Sequence, residues 1–266
     1  SSLIPTLMYA APTADDGIQL RIHGGSDARV DEFPYMVSLR DSHGHFCGGS
    51  ILNPHTIITA AHCFTQRPKA DEIKAVVGSI YLKSGGTEYQ MSKIICHPEY
   101  NIEPTAANDI AVLITSEPII TSHSVGFIAL PSSTTVTGAG VNLTMTGWGR
   151  IDETRNLPNT LKKITLTTIS NDDCNKKQNP RNFPIHPTNI CTVTKAGEGL
   201  CFGDSGSPLV DGKYLVGIAS YVTGPLSGSG YPCATGTPDA YTRVSSYIPW
   251  INNNTHFIKL LWNNLL

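Results

Sequence analysis

Val141, Leu143 and Met145 alternate with Asn142, Thr144 and Thr146, and Ile164 and Leu166 alternate with Thr165 and Thr167. A period of two puts successive side chains on opposite faces, so these stretches read as half-buried antiparallel strands. Gly and Pro clusters interrupt the pattern at Ser84-Gly85-Gly86, Ser227-Gly228-Ser229-Gly230 and Thr237-Pro238-Asp239, where turns are expected. Many short strands between such turns imply barrels or sandwiches. The composition agrees, with 15% charged residues, 24 Gly and 18 Pro among 266 residues, against about 25% charged in an average domain. A chain of this length holds one large or two modest domains with a sizeable core.

The charge balance, 19 Lys and Arg against 21 Asp and Glu, gives a net charge of −2. No broad positive field is available to hold nucleic acid or an anionic membrane, so neither is an expected partner. Apolar stretches are broken by Asn, Thr, Gly or Lys well short of the ~20 residues that cross a bilayer, and a soluble chain is expected. Residues 1–20 carry no Lys or Arg and no starting Met, so the charged start of a signal peptide is missing. Either a signal has been removed or it lies outside this sequence. Arg21 is the first basic residue and stands directly before Ile22, Gly24 and Gly25, which suits a trypsin-like cut. Near the other end, Ser245 and Ser246 are placed to cap a helix with Tyr247, Ile248, Trp250 and Ile251 on its apolar face. Phe257, Ile258, Leu261, Trp262 and Leu265 continue at helical spacing. Packing on the body is the expected use of that face, and a partner or membrane-surface helix is the alternative.

The 7 cysteines are Cys47, Cys63, Cys96, Cys174, Cys191, Cys201 and Cys233, with no C-x-x-C pair of the zinc or thioredoxin kind. Disulfides in an oxidising compartment account for them better, and the odd count leaves at least one thiol over. Cys96, in the apolar segment KIICHP, is expected to be a buried free thiol, with a reactive or intermolecular one as the alternative.

Three segments carry chemistry: TAAHC with His62, NDIAVL with Asp109, and GDSGSP with Ser205. Each alone is weak evidence, but together they supply a nucleophile, a base to take its proton and an anion to hold that base in one tautomer. Gly203 and Gly206 flank Ser205, so a turn free of side chains there lets the N–H groups of Gly203 and Ser205 converge on a developing oxyanion. Each such donor is worth ~3 kcal/mol.

With these residues in view, the sequence resembles the chymotrypsin-like (trypsin/chymotrypsin) serine peptidases. The resemblance runs from IHGG at Ile22 through HFCGGSIL, TAAHC, NDIAVL, MTGWG, GDSGSPLV and PDAYTRV to Trp250. It implies an all-β fold of two antiparallel six-stranded β-barrels with a C-terminal helix and a catalytic cleft between the barrels. The implied division is 1–21 activation propeptide, 22–130 N-terminal barrel, 131–244 C-terminal barrel and 245–266 helix and tail. Ser205 would attack the scissile carbonyl, His62 would serve as base and then acid, and Asp109 would orient His62. Ser220 matches a residue that hydrogen-bonds the triad Asp, although a plain strand Ser is also open. The implied disulfides join Cys47 with Cys63, Cys174 with Cys191, and Cys201 with Cys233, leaving Cys96 over.

The resemblance also implies a zymogen. Cleavage after Arg21 would free the Ile22 amine to pair with Asp204. Before the cut, a buried Asp204 would need a substitute partner, and Ser38 and His45 match residues that hold this Asp in some family zymogens. A satisfied core imidazole is the other reading of His45.

Specificity would follow from Gly199, six residues before Ser205, which makes the floor of the specificity pocket neutral. Asp239 takes a wall position that is usually Gly, as in arthropod chymotrypsin- and collagenase-like digestive enzymes, and Val222 stands where open pockets have Gly. One obstruction of that size is worth ~1–3 kcal/mol. Cleavage after Phe, Tyr or Leu is therefore expected, with elastase-like cleavage after Ala or Val second and a broad collagenolytic profile third. Ser207, where the family more often has Gly, is expected to be harmless. The loop after Gly78 lacks paired acids for calcium, and His43 with His45 makes a thin ligand set, so no metal and no cofactor are expected. The expected partners are protein or peptide substrates, an activating trypsin-like protease and protein protease inhibitors, met by a secreted monomer. Sequons at Asn142 and Asn253 fit secretion. The competing class is a catalytically silent binding homologue, against which stand the complete triad, the oxyanion glycines and the Arg21-Ile22 junction.

Overall fold

Alternation in the sequence becomes alternation in burial: along Lys162–Ile169 every second residue is buried, and Ile164 and Leu166 point inward. The computed structural model describes residues 25–65, 69–101, 106–151, 156–177, 184–193, 195–224 and 233–263, and of 256–263 the backbone alone. The strands are β1 (Ser26–Asp27), β2 (Met36–Asp41), β3 (Gly44–Asn53), β4 (Thr56–Thr59), β5 (Lys74–Val77), β6 (Thr87–Cys96) and β7 (Ala111–Thr115), followed by β8 (Asn142–Gly147), β9 (Lys162–Ile169), β10 (Asn189–Val193), β11 (Pro208–Asp211), β12 (Tyr214–Val222) and β13 (Asp239–Arg243). All strand pairings are antiparallel. Strands β2-β3-β4-β7-β6-β5 close one six-stranded barrel, and β9-β10-β13-β12-β11-β8 close a second through the β8–β9 pair.

Turn chemistry sets the hairpins. Between β2 and β3 the His43 N–H donates to Asp41 Oδ1 at 2.8 Å, and Gly44 takes a φ of 105° that a side chain would resist. Each barrel has its own apolar interior. Leu39, Ile51, Ile57 and Leu113 fill the first, and Leu143, Met145, Leu166 and Leu209 fill the second. Each fully buried side chain of this size contributes ~1.5–3 kcal/mol.

The chain ends cross between the barrels. Although β1 precedes the first barrel in sequence, it pairs with β9 of the second, Asp27 opposite Lys162, and the two side chains form an ion pair. A short helix, α1 (Asn171–Lys177), lies between β9 and β10, and at the other end a 3-10 turn, Val244–Tyr247, leads into α2 (Ile248–Asn263). Val244, Tyr247 and Ile251 join the interior of the first barrel. Ser245 and Ser246 lie inside this turn instead of capping a helix, because the turn carries the chain directly into α2 with Pro249 in its first turn, where a missing N–H costs nothing. The side chains of Phe257, Ile258, Leu261, Trp262 and Leu265 lie outside the described residues, as do Arg21 and Ile22. Three disulfides form, Cys47–Cys63, Cys174–Cys191 and Cys201–Cys233, while Cys96 keeps a half-buried free thiol.

Candidate active site

His62 sits in a 3-10 turn, Ala61–Phe64, at the end of β4, where the following Cys63 is tied to β3 through Cys47. Asp109 lies two residues before β7. The preceding Asn108 has a φ of 57°, a left-handed conformation that Asn tolerates better than most residues, and its side chain accepts a hydrogen bond from Tyr247 Oη at 2.9 Å. The chain is thereby turned so that Asp109 faces His62. Asp109 Oδ2 accepts from His62 Nδ1 at 2.7 Å, and Oδ1 accepts from the His62 backbone N–H at 2.9 Å. One carboxylate thus fixes both the ring and the main chain of His62, leaving Nε2 directed to the cleft as an acceptor. Ser220, from β12 of the second barrel, donates to the same Oδ2 at 2.5 Å, and Thr242 Oγ1 donates to the Asp109 carbonyl at 2.7 Å. Two strands of one barrel therefore anchor the aspartate of the other.

Burial alone would push the Asp109 carboxyl up, but the His62 charge and the bonds from His62 and Ser220 outweigh it and hold the carboxyl below its ordinary value. For His62 burial pulls down, and the Asp109 charge and hydrogen bond win, so its imidazole is shifted upward.

The Ser205 turn comes from the second barrel and locks onto the first. The Gly48 N–H donates to the Ser205 carbonyl at 2.8 Å, and a Cβ on Gly206 would run into Thr59 Oγ1 and lie 2.6 Å from the Gly48 carbonyl. With a φ of 77° as well, only glycine fits at 206. Since Thr59 ends β4 and His62 follows in the next turn, this contact brings Ser205 to the His62 side of the cleft. Among the described residues Ser205 Oγ makes no hydrogen bond with His62 Nε2, and catalytic hydrogen bonds are often long before substrate binds. Within the turn the N–H of Asp204 donates to Cys201 O at 3.0 Å, that of Gly206 to Ala219 O at 2.8 Å and that of Ser207 to Asp204 O at 2.9 Å. The N–H groups of Gly203 and Ser205 are paired with no acceptor among the described residues. Gly203 has a φ of 100°, a left-handed conformation that favours glycine.

Asp204 is buried behind this turn, its Oδ1 accepting from Gly149 N–H at 2.7 Å and its Oδ2 from Cys201 N–H at 3.0 Å. Any Cβ on Gly147 or Gly149 would collide with it, which explains the two glycines of TGWG. Burial pushes its carboxyl up to about 7 against the opposing pull of those two N–H groups. The expectation that Ser38 and His45 hold Asp204 is corrected here. His45 Nε2 donates to the Gly203 carbonyl at 3.0 Å, and Ser38 donates to His45 Nδ1 at 2.8 Å. Asp204 takes one main-chain N–H on each oxygen, and His45 serves the neighbouring peptide group. Burial takes the His45 imidazole down to about 4, so the ring is neutral near pH 7, as these donor and acceptor roles require. With both ring nitrogens engaged, His45 has none left for a metal.

Gly199, with a φ of 131°, precedes Leu200, whose N–H donates to Asp239 Oδ2 at 2.7 Å. Asp239 is buried, and burial followed by repulsion from Asp204 pushes its carboxyl up to about 8 despite the Leu200 bond. Val222 on β12 stands directly opposite Asp239 on β13, so the two side chains share a face. Val222 is half-buried and packs against the interior of the second barrel. Ser207 is fully buried, and its Oγ finds no hydrogen-bond partner; it fits because Gly48 has no Cβ. Sequence reasoning passed over Gly48, Thr59, Asn108, Thr242 and Tyr247. The Gly48-Gly49 pair was a visible sign of close backbone approach, whereas Thr242 and Tyr247 carry no local signal.

Comparison with known proteins agrees with this geometry. A family model described as Trypsin matches residues 22–251. Chymotrypsin-2 of Vespa crabro is 39% identical over 233 residues, covering 88% of this chain and 99% of the relative. Trypsin delta of Drosophila melanogaster is 34% identical over 236 residues, 88% of each. Among solved structures, human heparin binding protein superposes with a TM-score of 0.73 at 28% identity, covering 86% of this chain and 95% of that one. Two closed barrels, a His–Asp pair anchored across their seam and similarity over nearly nine-tenths of the length lead to one conclusion: the chain belongs to the trypsin family of serine endopeptidases.

Proposed function

We propose that this protein is a secreted digestive endopeptidase, made as a zymogen, that cleaves after large apolar residues through Ser205, His62 and Asp109. The observation that carries the catalytic assignment is the bidentate hold of Asp109 on His62, 2.7 Å to the ring and 2.9 Å to the main chain. With Nδ1–H committed to Asp109, Nε2 is the free base. Ser205 Oγ attacks the carbonyl carbon as its proton passes to His62 Nε2, and the carbonyl oxygen takes up negative charge beside the N–H groups of Gly203 and Ser205. His62 then hands that proton to the leaving amine as the C–N bond breaks, forming an acyl ester on Ser205. Water repeats the sequence, giving its proton to His62 and its oxygen to the acyl carbon, and Ser205 recovers its proton. Asp109 stays ionised throughout and stabilises the imidazolium formed at each step.

Zymogen activation is supported by Asp204, a buried carboxyl with two N–H donors and no cation among the described residues. The Ile22 amine freed by cleavage after Arg21 is the cation it lacks. Specificity is supported by the pocket floor: Gly199 adds no side chain, and Asp239 spends one oxygen on the Leu200 N–H in a setting that favours its neutral form. A neutral wall suits Phe, Tyr or Leu. Val222, opposite Asp239, favours a second reading, elastase-like cleavage after Ala or Val. Three disulfides suit an oxidising compartment and support secretion.

The test is to treat the full chain with a trace of trypsin, sequence the new amino terminus for Ile22-His23-Gly24, and follow phosphonate labelling of Ser205 alongside cleavage of peptides ending in Phe, Leu, Ala or Arg. Labelling and Phe or Leu cleavage that begin only after the cut are expected. Full activity before the cut would sink the zymogen, and a cut chain that neither labels nor cleaves would sink the peptidase.

A further inference from the structure

Beside the Gly203 turn the first barrel and the loop before β9 enclose a groove of about 380 Å³ lined by Arg40, His43, His45, Lys83, Leu157 and Asn159, among other residues. It adjoins the place where the scissile carbonyl would sit. His45 is hydrogen-bonded to the Gly203 carbonyl at 3.0 Å, and Leu157 packs so close that a Cβ on Gly203 would lie 2.9 Å from its Cδ2. On the peptidase reading, a peptide reacting at Ser205 passes the Gly203 turn, and this groove is the surface adjoining that turn.

Among the described residues its lining carries Arg40 and Lys83 and no Asp or Glu. Arg40 is held in place from behind, its Nε donating to Ser38 Oγ at 3.0 Å while Ser38 donates to His45, so the rest of the guanidinium is presented by a fixed stem. Lys83 is exposed, and its loop is stitched to the second barrel by Lys83 N–H to Asn159 Oδ1 at 2.9 Å and Leu82 N–H to Asn159 O at 2.8 Å. Among the described residues the nearby acids Asp41 and Glu88 have partners of their own, and Glu88 also acts on the Arg40 charge. Asp41, its side chain 5% exposed, accepts the His43 N–H, and Glu88 is taken by Lys74 Nζ at 2.7 Å. Next to Gly203 in sequence, Phe202 carries the Arg150 guanidinium stacked over its ring at 5.1 Å.

Resting on the peptidase reading above, we infer that this groove is a subsite for acidic residues on the leaving-group side of the scissile bond, with Arg40 and Lys83 as its charge-reading residues. The substrate class is thereby narrowed to chains in which a large apolar residue is followed within a few positions by Asp or Glu. An exposed ion pair changes an equilibrium by up to about fivefold, so two such contacts give a preference of about tenfold.

Three quenched peptides, identical through Phe and followed by Asp-Asp, Gln-Gln or Lys-Lys, are compared by kcat/KM on the trypsin-treated full chain. The acidic peptide is expected to lead the basic one by about tenfold. The ratio should shrink as salt rises toward about 0.5 M, where charges are screened within a few ångströms. Lys83→Glu, which leaves one cation against one anion, is expected to abolish the order, and Arg40→Gln, which keeps a donor for Ser38, to reduce it. The same peptides, fluorescently labelled, are then ranked by anisotropy on the trypsin-treated Ser205→Ala chain, which reads the groove without chemistry. If the wild-type chain cuts none of the three, the peptidase reading fails while the binding order still decides the groove. Equal or basic-first ranking, or an acidic preference that Lys83→Glu and Arg40→Gln both leave intact, overturns the inference.

Discussion

Asp109, at the seam and belonging to the first barrel, and Asp239, on β13 of the second, are buried to the same degree, 2% and 3% exposed. Their carboxyls move in opposite directions. Asp109 faces His62 and takes bonds from Ser220 and the His62 main chain, and it stays ionised below its ordinary value. Asp239 has the Leu200 N–H and the repulsion of Asp204, and it is pushed up to about 8. Burial penalises the charged form in both, so the difference lies in what each carboxyl faces: a titratable cation in one case, a single main-chain donor and a like charge in the other. One region is built to hold a negative charge, the other to suppress one.

The strongest way to break this contrast is Asp109→Asn. It removes the charge that raises His62, and the amide NH2 meets donors at Nδ1 and the His62 N–H. A loss of about 10⁴ in kcat is expected. The acid limb of the residual pH–rate profile should also move to lower pH, because burial, which pulls His62 down, is then unopposed by the charge. An unchanged limb would show that Asp109 does not set the His62 titration.

Asp239→Asn tests the other side. A carboxyl raised from 3.8 to about 8 on folding binds more protons in the folded chain, so its stabilising contribution is complete below pH 3.8 and is lost as pH climbs through about 8. Asp204, raised to about 7, acts in the same sense, whereas lowered Asp109 costs stability only as pH falls below its ordinary range. Thermal melts from pH 5 to 9 should therefore decline with pH, and Asp239→Asn, whose amide oxygen can still accept the Leu200 N–H, should flatten the decline. Parallel curves for the two chains would refute the neutral wall.

Val222→Gly sharpens the pocket reading. Opening the face opposite Asp239 is expected to raise cleavage after Phe relative to Ala by about tenfold, a steric difference of this size being worth ~1–3 kcal/mol. Steady-state kinetics on paired peptides decides it, and an unchanged ratio would remove Val222 from the pocket. The smallest effect is expected at Ser207. Its buried Oγ has no partner, so Ser207→Ala should leave activity unchanged and stabilise the fold by up to about 1 kcal/mol in urea unfolding. A clear loss of stability would mean that the hydroxyl is satisfied after all.

What could be read in the sequence was local in sequence. TAAHC, NDIAVL and GDSGSP each place one reacting group within a few residues of the turn or strand that aims it, and the glycines of GDSG and TGWG mark close approaches that a single Cβ would block. Strand alternation reports which face is buried, so barrels or sandwiches of short strands were legible from the pattern, and two barrels were what the resemblance implied. Partners far apart in the chain were not. Ser38 and His45 were matched to Asp204, yet the imidazole serves the Gly203 carbonyl one peptide away, a difference decided by the path of the main chain. The same limit hid β1 on the second barrel and the C-terminal turn inside the first, since pairing across 135 residues leaves no periodic trace.

By itself the sequence determined the reacting groups, the turns that carry them and the strand pattern, because those follow from residue type and short-range geometry. Only the tertiary structure decided the protonation of three equally buried aspartates, the Ser220 and Thr242 anchors on Asp109 and the groove of Arg40 and Lys83 beside Gly203. A charge's energy depends on the dipoles and charges within a few ångströms of it, and in this fold those neighbours come from the opposite barrel or from strands distant in sequence.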